Sequence, residues 1–429
     1  MRAQRNRAEK VILAGVVAIA LTALGTPTGS PQLVSIEQLP DAEICIPDLM
    51  AALHEEPTLF AALQQEQRFA RPGSEGDKST TDVTRPAVRT LRDTDPEYSS
   101  IAVDTQHDEV VLQDNNLWST RVFNRLDNTA PDAKPTEPKR VIQGEKTELQ
   151  FNNGLYIDPK NGDIYSVESD VGDRMVVFSH DAQGDIAPKR VLKTPHRGYA
   201  MAANEEKDEL YLTIEYPPKV MVYRKGASGN DKPLRVLEGD HTGLEAIHGI
   251  ALDVKNNLMF VDNWGNASNF KVAGTGKFNP PSIKIYALDA SGDTPPLRVI
   301  QGTKTQFNWP GSMSLDTDSG ELYVANDVEH SIIVFNEIDK GDAAPKRVIK
   351  GKKTGLRNPT GVSVDKKNKE LWVSNLGNSS ATCYSLTANG DVAPLRTIRS
   401  APAGKVSLKF GRTEAVAYDS KRQELLVPN

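Results

Sequence analysis

Residues 311–351 read GSMSLDTDSGELYVANDVEHSIIVFNEIDKGDAAPKRVIKG, and this stretch decides the architecture. Its apolar residues alternate with polar ones in four short runs, separated by turn-forming Asp, Ser, Gly and Asn. A period of two turns one face of each run toward a core, and short turn-rich connections join neighbouring runs as antiparallel hairpins. The unit therefore predicts a four-stranded meander with strand A at 313–316, B at 322–326, C at 332–335 and D at 347–349. Residues 361–398 repeat it as GVSVD, ELWVSN, CYSL and NGDVAPLRTI.

Working outward, the aspartate that closes strand A recurs at Asp104, Asp158, Asp253, Asp316, Asp365 and Asp419, with Asn204 in the remaining place. The spacings of 54, 46, 49, 63, 49 and 54 residues suit the blade of a β-propeller with loop insertions. The opening arginine of strand D recurs at Arg89, Arg140, Arg190, Arg235, Arg298, Arg347 and Arg396. Seven A strands and seven D strands are legible, but only six C strands. The first strand-like segment, 89–91, is a D strand with no A, B or C before it, and the last copy reaches only strand B. The expectation is an all-β, seven-bladed β-propeller of four-stranded antiparallel blades, closed by pairing of N- and C-terminal strands so that no sheet edge stays open. A six-bladed ring with the last copy packed irregularly is the alternative.

The units GVSVDKKNKELWVSN and GSMSLDTDSGELYVAN resemble NHL-type and YVTN-type propeller repeats, a resemblance that covers 86–429 and implies the fold. Ahead of it, Arg2, Arg5, Arg7 and Lys10 precede an uncharged run, 11–24, and small residues. This pattern predicts an export signal over 1–25, hence a periplasmic or extracellular protein without a transmembrane span once processed. An uncleaved N-terminal membrane anchor is the alternative reading. Apolar residues at helical spacing predict a short helical extension within 26–71, with Pro57 interrupting it, and 72–85 reads as a linker.

With 51 Lys+Arg against 57 Asp+Glu, the net charge is −6, which argues against a nucleic-acid partner. The 2 cysteines exclude a zinc ribbon, a CxxC redox site and haem attachment. In an oxidising compartment Cys45 and Cys383 could form a disulfide; two free thiols are the other possibility. The glycines of 274–277 lack the spacing of a phosphate loop, so no nucleotide site is expected.

In a propeller, the approach to strand A and the B–C loop share one face around the channel. Aligning the copies at the end of strand B gives Asp114, Glu168, Ile214, Asp262, Asn326, Asn375 and Asn429. Just before strand A stand Ser99, Asn153, Tyr199, His248, Gly311, Thr360 and Glu414. Oxygen donors in such number suit a hard cation such as Ca2+. Equally, Asp and Asn at strand ends satisfy turns through side-chain to backbone hydrogen bonds. Residues 264–282 form the longest insertion, between strands B and C of the fourth copy, where Trp264, Phe270 and Phe278 could contact a ligand on the same face. The repeated strand-D arginines are expected to pair with the repeated aspartates of a neighbouring strand or blade, not with a ligand.

Asn153-Gly154-Leu155 and Glu414-Ala415 are similar to ligand turns of gluconolactonase and paraoxonase propellers. That resemblance implies calcium held by Glu414, Asn153, Asp262 and Glu168, with His248 as general base in lactone hydrolysis. Three functions follow as expectations. The first is a binding or interaction module whose channel mouth and fourth-blade loop, with Tyr199, Asp114, Asn326 and Asn375, hold a protein, peptide or glycan. The second is the calcium-dependent lactonase or hydrolase. The third is a scaffold subunit of an envelope assembly.

Overall fold

A computed structural model describes residues 89–93, 98–115, 117–130, 132–267, 276–399, 416–419 and 421–427. The expected export signal, the helical extension, the linker and Cys45 lie outside these residues. Among the described residues, no helix is long and apolar enough to cross a membrane.

The chain folds as an all-β propeller with six four-stranded antiparallel blades. In the order A, B, C, D, blade one is Tyr98–Asp104, Glu109–Asp114, Ser119–Asn124 and Arg140–Ile142. Blade two is Asn152–Ile157, Ile164–Glu168, Arg174–Phe178 and Arg190–Lys193, and blade three is Gly198–Asn204, Glu209–Ile214, Lys219–Arg224 and Arg235–Leu237. Blade four is Ile250–Asp253, Leu258–Asn263, Ser282–Ala287 and Arg298–Gln301. Blade five is Pro310–Asp316, Glu321–Asn326, Ser331–Asn336 and Arg347–Ile349, and blade six is Pro359–Asp365, Glu370–Asn375, Ser380–Ser385 and Arg396–Ile398. The last copy gives a two-stranded sheet, Ala417–Asp419 with Glu424–Leu426.

The repeated aspartate makes each A–B turn. Its Oδ1 accepts N–H bonds from residues two or three positions on: Gln106 and His107 on Asp104, Lys160 on Asp158, Asn256 on Asp253, Asp318 on Asp316, Asn368 on Asp365, and Lys421 and Arg422 on Asp419. Asn204 does the same through its amide oxygen. A short acceptor side chain ahead of a tight turn is the residue type this geometry favours.

Both faces of each blade are apolar, so the core lies in the seams. Tyr165, Val167 and Met175 of blade two pack on Leu210, Leu212 and Ile214 of blade three. Equivalent clusters fill the seams from blade one to blade six. At the remaining seam, Val110, Leu112 and Phe123 of blade one meet Leu91 and Leu426. Innermost strands neighbour each other in succession, and Ala417–Asp419 touches strand A of both blade six and blade one.

One expectation is corrected. In blades one, three, five and six the strand-D arginine pairs with the glutamate that opens strand B of its own blade, not with the aspartate that closes strand A. Arg347 clasps Glu321 with two bonds of 2.8 and 2.6 Å, and Arg235 clasps Glu209 at 2.9 and 2.8 Å. Arg140 on Glu109 and Arg396 on Glu370 repeat the pairing. Strand-D arginines also reach the next blade: Arg347 donates to Leu386 O, Arg235 to Leu288 O and Arg190 to Lys225 O. The planar guanidinium fits both tasks at once, binding a carboxylate within its blade and a carbonyl across the seam.

Among the described residues, the seventh copy is seen as the two strands Ala417–Asp419 and Glu424–Leu426. No described strand C stands beside its strand B, so 89–93 has no sheet partner and bonds instead to the C–D loop of blade one. Thr129 N donates to Thr90 O at 2.6 Å, as Gly184 N donates to Val141 O at 2.6 Å between blades one and two. Arg89 pairs with Glu424 of the last sheet. Cys383 is buried in strand C of blade six, where burial pushes its thiol up to about 12.

Candidate functional site

Antiparallel strands put the B–C connections and the D–A connections at one end of every blade, around the channel mouth. Strand A carries a register shift near that end in blades one, two, five and six, around Ser99, Asn153, Gly311 and Thr360. Blade three has one at the same height, between Met201 and Gly198. A bulge of this kind re-aims a side chain out of the sheet's alternation. The bulges therefore fall inside strand A, next to its mouth end, at Ser99, Asn153, Gly311 and Thr360.

Four aromatic rings run side by side across blades three, four and five. Tyr199 meets His248 edge to face at 4.2 Å between ring centroids, His248 meets Trp264 at 3.9 Å, and Trp264 stacks on Trp309 at 4.8 Å and 12°. Trp264 donates its indole N–H to Pro310 O at 3.0 Å, tying the end of strand B in blade four to blade five. Tyr199, Trp264 and Trp309 are half-buried, so each keeps a face or edge toward solvent. Trp309 has φ of +54°, as do Arg197 at +62°, Ala246 at +43° and Asn358 at +43° in the same loop position of other blades. Left-handed backbone costs a non-glycine residue about 1 kcal/mol, and an indole has no local compensation for it. The ring's contact with Trp264 supplies the reason for a tryptophan at that place.

His248 lies at the centre of the row. Burial, followed by the nearby Arg197 cation, lowers it to about 3, so the imidazole is neutral. Its Nε2 is 3.8 Å from Glu215 Oε1, and Glu215 is held by Arg197 at 2.9 Å. The ring of His248 lies between those of Tyr199 and Trp264.

The insertion after Trp264 is anchored at its base by a small hairpin, with Asn266 opposite Phe278 and Ala267 opposite Lys277. Gly265 makes this possible: with φ of +87°, any Cβ there would lie 1.9 Å from Asn279 O. Phe278 is 83% exposed. Phe270 and Glu414 lie outside the described residues.

The remaining expected residues are occupied with the fold. Glu168 is fully buried, and its carboxylate accepts the backbone N–H groups of Asp170, Val171, Gly172 and Asp173. Asn326 accepts from Asn308 N at 2.6 Å and donates to Gln306 O and Ser331 Oγ, and Asn375 makes the matching bonds to Arg357 N, Ser380 Oγ and Thr382 Oγ1. Asp114 is buried against Arg121 at 3.1 Å, and Asn153 donates to Ser169 Oγ at 2.7 Å.

Asp262 is not the counterpart of these residues. Asn263 accepts from Glu245 N at 2.7 Å as Asn326 does from Asn308 N, so the alignment at the end of strand B in blade four moves by one residue. Successive strand residues face opposite ways, and Asp262 points to the other side of its sheet. There its Oδ1 accepts from His248 N at 3.0 Å and Gly249 N at 2.9 Å, while Oδ2 is buried without a partner. Burial raises its carboxyl well above the ordinary range against the pull of those two N–H groups. Among the described residues, the one His, Cys, Asp or Glu group of three or more close enough to share an ion is Asp104, His107 and His180, which lie at the opposite end of the blades. Sequence reasoning missed Trp309, which stands seven residues before Asp316 as Ala246 stands seven before Asp253. Comparison of the chain with protein-family models and with curated proteins finds no match.

Proposed function

We propose that the protein is a binding module that holds a peptide or glycan across its channel mouth, on the aromatic row of blades three to five. The observation that carries this reading is the unbroken ring contact Tyr199–His248–Trp264–Trp309, with Phe278 exposed in the hairpin that follows Trp264. Rigid aromatic faces bind sugar rings, prolines and aliphatic side chains at small entropic cost. Peptide and glycan arrays probed with the wild-type chain and with Trp264→Ala test it: retained ligands should be lost in the variant. Arrays without a ligand, or with equal binding by the variant, would contradict the reading.

The alternative, a calcium-dependent lactonase, draws on the unpartnered oxygen of Asp262 and requires Glu168 to release four backbone N–H donors. Turnover of a lactone that chelator abolishes would favour it over the binding module.

The ring itself is read here as seven-bladed and related to NHL/YVTN-type repeats. The Ala417–Asp419 and Glu424–Leu426 strands form a partial seventh blade, with 89–91 in the place of strand D. Supporting this, Arg89 stands to Glu424 as Arg140 stands to Glu109, and Thr90 bonds blade one as Val141 bonds blade two. Reversing both charges, Arg89→Glu with Glu424→Arg, should restore stability lost in either single variant; no restoration would sink the closure. The export reading predicts recovery outside the cytoplasm after fractionation, and a wholly cytoplasmic chain would refute it.

A further inference from the structure

Blade six departs from its siblings at the seam with blade five. The stretch 346–357, KRVIKGKKTGLR, carries six cations and no acid in a chain of net charge −6. Half of these cations serve the ring: Lys346 and Arg347 are held by Glu321, and Lys350 by Glu329. Lys352 and Lys353 follow on the loop from strand D of blade five to strand A of blade six, and both are exposed. Asp391 accepts Lys353 N at 2.7 Å and so fixes the loop by its backbone. Among the described residues, neither ammonium group joins an ion pair.

The sibling loops fold alike but are charged differently. After Gly144, Gly239 and Gly302 stand Glu145-Lys146, Asp240-His241 and Thr303-Lys304, whereas Gly351 is followed by Lys352-Lys353. In all four the next residue is a threonine whose hydroxyl donates to the glycine carbonyl. The turn itself therefore does not call for a lysine pair.

A cleft of about 240 Å³ lies between this loop and strands C and D of blade six. Lys352, Lys353 and Arg399 line it together with Asn378, Ser380 and Thr397, and no Asp or Glu is among its lining residues. The same place between blades one and two is neutralised from within: the cleft there is lined by Glu148, Asp173, Arg174 and Lys193, and Arg174 bonds Glu148 at 2.6 Å. Gly355 stands where Glu148 does, each after the turn threonine, and Ser380 opens strand C as Arg174 does. Blade six thus has the cations of this cleft without its acids.

A cleft lined by one sign of charge concentrates counter-ions, and Lys and Arg are the residues that hold sulfate and phosphate oxygens. No aromatic side chain lines this one, so the platform on which nucleotide bases stack is missing from its walls. Neutral groups that match sugar hydroxyls are present instead. Asn378 donates to Gly355 O at 2.9 Å and accepts from Ser380 Oγ at 2.6 Å, which fixes its carboxamide and leaves the second N–H for a ligand. We propose that the cleft binds a sulfate or phosphate ester of a saccharide, with Lys352, Lys353 and Arg399 around the oxyanion and Asn378 and Thr397 on the sugar. The site does not depend on the ligand read at the aromatic row.

Titration calorimetry of the full chain tests it, with sucrose octasulfate and fructose 1,6-bisphosphate as probes and with sucrose and inorganic phosphate as controls. One of the two esters should bind, and the tighter of them names the ester; sucrose should not bind, and inorganic phosphate should bind at least about tenfold more weakly than that ester. Affinity should fall as salt rises, because the charges are exposed to screening. Lys352→Ala/Lys353→Ala should weaken the ester at least about tenfold and leave the urea midpoint near wild type, since Asp391 holds the loop through a backbone N–H. Lys304→Ala, at the place of Lys353 in the preceding loop, should bind like wild type. No binding of either ester, inorganic phosphate as tight as the ester, wild-type affinity in the double variant, or an equal loss in Lys304→Ala would overturn the assignment.

Discussion

Blades four and five come from the same repeat and sit side by side, yet they treat the mouth differently. Blade five closes on itself: Asn326 bonds its own preceding loop, Glu321 and Arg347 clasp one another, and Gly311 offers no side chain toward the channel. Blade four keeps the same turn bond through Asn263 but adds His248, an Asp262 with Oδ2 unpartnered, Trp264 and an insertion. The side chains that repeat from blade to blade hold the ring, and those that break the repeat gather at one sector of its mouth. Substitutions in blade five should therefore cost stability, whereas those at the departing positions of blade four should change binding with little loss of fold.

The largest effect is expected at the clasp. Arg347→Ala strands a buried Glu321 carboxylate and frees Leu386 O, and should lower unfolding free energy by about 3 kcal/mol, read from urea unfolding. The same pair governs acid stability. Hydrogen bonding from Arg347, with Lys346 adding to it, lowers Glu321 to about 2. Because the folded value lies below the unfolded one near 4.5, the contribution is present above the unfolded value and fades as pH falls toward the folded one. Glu321→Gln should flatten that acid limb; an unchanged limb would contradict the clasp.

Asn326→Ala comes next. It removes three bonds and leaves Asn308 N without its acceptor, for a loss of about 2 kcal/mol. Asp262→Asn should do the reverse. A carboxyl whose folded value is raised costs stability once pH passes its unfolded value, so the amide should stabilise the chain by about 1 kcal/mol at neutral pH and remove the decline above that point. A loss of stability in this variant would show that the charged form is wanted, as a bound cation would require.

Much of the ring was legible because its determinants are periodic. The closing aspartate, counted forward by ten, reaches Asn263 rather than Asp262, and that count alone would have avoided the slip of one residue. Counted forward by five, it reaches Glu109, Glu209, Glu321, Glu370 and Glu424, the partners that the strand-D arginines find. The site was less legible. His248, Tyr199 and Trp264 stand out as departures, but their contact with Trp309 depends on bulges and left-handed turns that no alternation pattern encodes. The Asp104, His107 and His180 group was invisible because His180 lies 73 residues beyond His107 on the facing blade, each within an ordinary turn position.

The account rests on the row of rings as a ligand surface, and the presence of Trp118 on the same face, 52% exposed in the B–C turn of blade one, gives it an internal control. The decisive measurement is calorimetric titration of an array-selected ligand into wild type, Trp264→Ala/Trp309→Ala and Trp118→Ala. Affinity should fall by about a hundredfold in the double variant, as for buried aromatic hot spots, and stay at the wild-type value in Trp118→Ala. Equal affinity in all three, or loss confined to Trp118→Ala, would contradict it.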